Sequence, residues 1–202
     1  MTAFDQAQLA QIKTTVPQWR AAQMDGAFQV FNALEEPTGA EEDWRYVEFD
    51  HSFSELSPVT APGERLPPGP FVSSLPRRSG HVLIVDGAVV EHESEVASVS
   101  RFSDLEADPG LPTLLPVDHN KLAAAHAAFS GDGVHIELEP GVTMDSPLVV
   151  EVQAATEGSA SFPHLHVAVG ENAEASILVV YRSADGARLL LLPKIDLEVG
   201  DG

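Results

Sequence analysis

The chain has 202 residues, 44% of them hydrophobic, enough for one full domain or one domain with a small appendage. Thirty-one acidic against eleven basic side chains give a formal charge of −20, which disfavours nucleic acid and anionic membrane as partners. The absence of cysteine excludes disulfides, zinc ribbons, thiolate-held iron–sulfur centres and a Cys nucleophile within these residues.

The start, Met1-Thr2-Ala3-Phe4-Asp5, lacks the basic and apolar regions of a signal peptide. No apolar run is long enough to span a bilayer, so a soluble cytoplasmic protein is expected. Residues 4–34 read as two helices. Phe4, Leu9 and Ile12 mark the first, and Val16-Pro17 opens the second, where proline suits the first turn. Trp19, Ala27, Val30, Phe31 and Leu34 recur at helical spacing on its predicted buried face. Glu41-Glu42-Asp43-Trp44-Arg45-Tyr46 reads as an acidic turn and a packing anchor, with Arg45 stacked on an aromatic ring or paired with a carboxylate. Residues 1–50 thus form an N-terminal helical region.

Residues 51–80 read as a Pro/Gly-rich linker, extended or turning rather than packed. His81 to Val90 forms two strands about the Asp86-Gly87 turn. A loop with three prolines follows over 103–116, then a short helix near 118–129 capped by Asp118. Leu122, Ala125, His126 and Phe129 share one face of that helix, and His126 reads as a satisfied, semi-buried histidine.

From Val134 onward the chain repeats itself. His135-Ile136-Glu137-Leu138-Glu139-Pro140-Gly141 is followed 29 residues later by His164-Leu165-His166-Val167-Ala168-Val169-Gly170. Lys194-Ile195-Asp196-Leu197-Glu198-Val199-Gly200 comes 30 further on. Each copy alternates polar and apolar side chains, the period of a half-buried strand, and ends on a turn glycine. Copies at a fixed spacing predict stacked coils of a β-solenoid over 81–202, with a meandering β-sandwich as the alternative. In the stacked arrangement Ile136, Leu138, Leu165, Val167, Leu197 and Val199 enter one core. His135 then lies beside His164 and Lys194, and Glu137 beside His166 and Asp196.

Three stretches carry a family resemblance. They are Pro17-x-Trp19-Arg20 with Glu41-Glu42-Asp43-Trp44-Arg45-Tyr46; Lys121 to Phe129 running into Asp132-Gly133-Val134; and Pro140-Gly141-Val142, Ser146-Pro147-Leu148, Phe162-Pro163-His164 and Gly170-Glu171-Asn172-Ala173. Over residues 15–202 the chain resembles the SufB/SufD family of iron–sulfur cluster assembly proteins, and SufD more than SufB. The resemblance implies a mainly β fold, a right-handed parallel β-helix preceded by a small helical region. It also implies a non-catalytic scaffold subunit acting with SufB and the ATPase SufC, the iron–sulfur cluster being handled by the full complex. These residues stop inside the third copy, so the β-helix is expected to be incomplete at its C-terminal end. The family's main partner contacts and its cluster-building Cys or His residues have no counterpart here.

No catalytic, cofactor-binding or metal residue is therefore assigned. His135, Glu137, His164 and His166 would converge on a divalent ion if strands roughly 4.8 Å apart aimed them together. A flat face splays its side chains and Lys194 opposes a cation, so a solvent-facing ladder that binds no metal tightly is expected instead. A β-solenoid carbohydrate-active enzyme is the alternative function, and a generic acidic β-helical interaction protein a further one. The enzyme reading lacks a groove of clustered carboxylates with Arg or Lys, a Ser nucleophile elbow and a P-loop.

Overall fold

The computed structural model describes residues 3–42, 44–47, 52–112 and 114–202; Asp43 of the acidic turn lies outside them. Two helices come first, α1 (Gln6–Lys13) and α2 (Gln18–Ala33). Asp5 caps α1 by accepting from the amides of Ala7 and Gln8. A short strand β1 (Ser57–Pro58) and a single-turn helix α3 (Pro70–Ser74) lead to β2 (Gly80–Val85), β3 (Ala88–Ser94) and β4 (Ser98–Arg101). Then come α4 (Lys121–Phe129), β5 (Val134–Leu138), β6 (Leu148–Ala154), β7 (Ser159–Ser161) and β8 (His164–Val169). The last three strands are β9 (Ile177–Ser183), β10 (Leu190–Leu191) and β11 (Lys194–Val199).

The right-handed parallel β-helix expected of this chain is not what it forms. Its strands divide among three small sheets of α/β type, in the orders β1-β7-β10, β11-β8-β5-β4 and β3-β2-β6-β9. Among the described residues no sheet is closed or forms a solenoid. Antiparallel strands end both larger sheets: β3 folds back on β2, and β4 lies antiparallel on β5. The third sheet is built from strands of only two or three residues. Parallel pairing joins β2–β6–β9, β5–β8–β11 and the strands of that short sheet, and an isolated parallel bridge links Thr143 to Glu174.

Within β5–β8–β11 the three copies lie side by side; β11 meets β8 in the expected register, whereas β5 is two residues out of it against β8. His135 is opposite His166 and Val134 opposite Leu165, while Lys194 faces His164 and Asp196 faces His166. A slip of two leaves every side chain on its expected face, so alternation alone does not oppose it. The turn glycines pack closely: a side chain on Gly170 would sit 2.5 Å from the backbone nitrogen of Pro140.

Two cores result. Val82, Ile84, Ile136, Leu148, Val150 and Leu165 fill the space between the two four-stranded sheets. The second core joins α1, α2 and α4 through Phe4, Met24, Phe31, Phe53, Phe129 and Phe162. The buried stripe of α2 is Arg20, Met24, Ala27 and Phe31; of the expected face Ala27 and Phe31 are buried, and Val30 and Leu34 pack partly buried beside them. Asn120, rather than Asp118, caps α4, its Oδ1 accepting from the Ala123 amide. Arg45 does pair with Glu42 and lies over the Tyr46 ring, yet Tyr46 is exposed and anchors nothing.

The Pro/Gly-rich segment is packed, not a free linker. Phe53, Leu56 and Val72 are buried, and the Leu66 amide donates to Gln153 Oε1. This segment covers the outer face of β6, where Glu151 also holds Arg182. Every residue of β6 is buried as a result.

Among the described residues β11 pairs on one side only, with β8. Leu197 and Val199, expected in the core, are 56% and 67% exposed, and Ile195 is exposed as well. Leu190 to Leu192 pack partly buried against the two cores. Burying one large apolar side chain is worth about 1.5–3 kcal/mol, and the opposing charge repulsion is screened beyond about 10 Å at 0.1 M salt. The protein should therefore self-associate through β11 increasingly as salt rises, and Leu197→Lys should suppress it. Sedimentation across a salt series tests this; a monomer at every ionic strength rules it out.

Candidate functional site

Two histidines expected to face water lie in an enclosed polar cluster. His164 and His166 are 4% and 0% exposed, because the histidine-bearing face of β8 is covered rather than solvated. Arg20 reaches it from α2, His126 from α4, and Phe102 from the turn after β4. The His164 ring packs edge-on to Phe102 and to His126, at 5.1 and 5.3 Å between centroids.

Hydrogen bonding sets the His164 tautomer. Its Nε2 lies 2.7 Å from Asp196 Oδ2, a carboxylate that only accepts, so Nε2 carries the proton. Nδ1 is left as an acceptor facing the Arg20 guanidinium, a pure donor, at 3.5 Å. Burial first, then the cations of Arg20 and Lys194, press the His164 pKa down to about 4 against the pull of Asp196. The ring is therefore neutral at pH 7 and bridges the two charges. Burial also works against ionisation of Asp196, but bonds from His164 and Lys194 outweigh it and hold its carboxyl below the usual range. Lys194 Nζ sits 2.7 Å from the same Oδ2.

Arg20 completes the cluster by donating from Nε to the carbonyls of Ser130 and Gly131. Burial lowers its pKa to about 10, and it remains charged. His126 Nε2 lies 3.2 Å from the Pro163 carbonyl and so donates to it, as expected of a satisfied histidine. Burial, and next the neighbouring His164, keeps its pKa well below the usual imidazole range.

A second relay runs along the same face. His166 Nε2 is 3.3 Å from Glu198 Oε2, and its Nδ1 is 3.0 Å from Nδ1 of His135. His166 thus lies between the Glu198 carboxylate and the His135 ring. Glu137, expected beside His166, reaches His135 Nε2 only at 3.7 Å. Among the described residues no group of three or more His, Asp or Glu is arranged to hold a metal ion.

A cavity of about 520 Å³ opens over the first cluster. Arg20, His126, His164 and Lys194 supply its polar wall, and Leu111, Leu115, Leu122 and Leu192 much of its apolar one. The His164 lone pair is committed to Arg20 and its proton to Asp196, which leaves the ring unsuited to general-base work near neutral pH. The cluster instead fastens the helices to the strands. Sequence reasoning missed Arg20, whose signal was its place four residues before Met24 on the stripe of Ala27 and Phe31. Asp196 was expected beside His166, its neighbour across the strands, but its carboxylate accepts from His164.

No protein-family model matches the chain, and no curated protein matches it in sequence. Among the described residues no helix is long and apolar enough to cross a membrane.

Proposed function

We propose that the chain is a non-catalytic, SufD-like scaffold subunit of the SUF iron–sulfur cluster assembly complex, acting in the cytoplasm with SufB and the ATPase SufC. Support comes from the use made of the residues that carry the resemblance. Their polar side chains are spent on joints. Arg20 ties α2 to the chain after α4, and Lys121 Nζ donates to the carbonyls of Phe31 and Leu34 at 3.0 and 2.7 Å. His126 ties α4 to Pro163, and Trp19 Nε1 donates to the Leu105 carbonyl. Residues consumed in this way favour a stiff frame over a reaction centre, and the single-sided β11 offers such a frame an edge for a partner strand. In this reading iron and sulfur are cargo of the complex.

The product of the whole gene encoding these residues, tagged and expressed with SufB and SufC from the same genome, should co-purify with both. Recovery of the tagged protein alone, from cells where SufB and SufC associate with each other, would sink the assignment.

A further inference from the structure

We propose a second, independent site: the cavity between β7, the β2–β3 turn and the end of α4 binds a small apolar monocarboxylate. This cavity, about 440 Å³, lies within the roughly 300–1,000 Å³ usual for ligand pockets. It does not depend on the scaffold reading.

Two donors in its wall have nothing to bond. Ser161, at the end of β7, is 2% exposed and its hydroxyl has no partner among the described residues. Arg101, the last residue of β4, is half-buried and lines the same cavity. Its Nε is sealed from solvent without a hydrogen bond. Arg101 also forms no ion pair among the described residues, unlike Lys13, Arg45, Arg65, Arg78, Arg182 and Lys194 in this acid-rich chain. An unsatisfied buried donor costs about 1–3 kcal/mol, and an uncompensated charge more, so such groups normally sit opposite an acceptor.

The carboxylates already in the wall do not serve. Asp86 is saturated: Oδ1 accepts from the Ala155 and Thr156 amides, and Oδ2 from the Gly63 amide and the Thr156 hydroxyl. Its backbone is held at φ +50° in the hairpin turn, fixing it there. Asp132 accepts from the amide and hydroxyl of Ser103 and from the Gly133 amide. The unmet requirement is therefore an acceptor bearing negative charge. A carboxylate meets it, since its two oxygens match the fork of a guanidinium and also accept from a hydroxyl. Phosphate is a poorer match, because its second charge would be held near Asp86 and Asp132. The rest of the wall, with Ile12, Val89, Phe129, Ala160 and Phe162, suits a short hydrocarbon body.

The test uses the intact chain with sodium hexanoate as probe, and 1-hexanol and inorganic phosphate as controls, followed by calorimetry. Hexanoate should bind one to one, about tenfold or more tighter than either control, as expected for a charge-assisted pair worth about 1.5–3 kcal/mol. Arg101→Gln should abolish this preference and Ser161→Ala should weaken it. Should Arg101→Gln fail to fold, amide shifts of Ala160 and Ser161 on adding hexanoate to the unmodified chain give the second readout. Absence of saturable binding at about 10 mM means that water alone fills the cavity, and overturns the proposal. Binding that survives Arg101→Gln, or phosphate binding as tight as hexanoate, overturns it equally.

Discussion

The protein should lose about 3 kcal/mol of stability from His164 alone as pH falls from 6.5 to about 4. Folding takes the His164 pKa from 6.5 to about 4, chiefly through burial, with Arg20 and Lys194 adding to it. Between those values the unfolded chain takes up a proton that the folded chain refuses, so stability rises with pH across that window. The contribution is fully present above 6.5 and gone below about 4. The difference, 6.5 − 4 = 2.5 pH units at 1.36 kcal/mol each, gives the figure above. His126, buried against the same ring, acts in the same direction. Asp196 works lower: its carboxyl is held below its ordinary value of 3.8, so its share is lost only as the pH falls beneath that. Against a total stability of about 5–15 kcal/mol, the loss is easily measured. Urea midpoints should fall markedly between pH 7 and about pH 4.5, and a His126→Gln, His164→Asn double variant should flatten the dependence. Equal midpoints at the two pH values would mean that His164 is not shielded from protonation as its surroundings require.

How much of this was legible beforehand differs between strand and sheet. The alternation in His135 to Leu138, His164 to Val169 and Lys194 to Val199 marked three strands that do lie side by side in parallel. The expected register holds for β8 against β11 but not for β5 against β8, because a slip of two residues preserves every inward and outward position. The Asp86-Gly87 turn did mark β2 and β3 as a hairpin, which they form, but nothing in the sequence of β4 says that it will lie antiparallel on β5. The histidine face was misread for another reason. A polar row on a strand reads as solvated unless something covers it, and here the cover is Arg20, 144 residues away in sequence. The same limit applies to residues 51–80, which read as extended or turning rather than packed. Their packing depends on Gln153 and Arg182, which become neighbours only once β6 and β9 are paired.

Phe129→Ala should cost about 3–5 kcal/mol, the range for removing a buried aromatic ring from a packed core. Phe129 is 1% exposed at the end of α4, with the rings of Phe4, Phe28 and Phe31 edge-on at 4.9, 5.8 and 5.5 Å. Phe162 lies at 6.4 Å and tilted. These neighbours come from the segment before α1, from α2 and from the chain between β7 and β8. Collapse onto the vacated space would have to move three elements at once. The cavity term is therefore expected to be near its upper value. Alanine is the better helix former, but by only about 0.5 kcal/mol, far short of offsetting the loss. For a chain of this length the melting temperature should drop by about 10 °C or more. Phe28→Ala is the internal comparison: its ring touches the same cluster but is only partly buried, and should cost clearly less. Denaturant melts of the two variants separate the outcomes. If Phe129→Ala were no worse than Phe28→Ala, the aromatic cluster would not be what joins helices to strands, and the Arg20, Lys121 and His126 bonds would have to hold that junction by themselves.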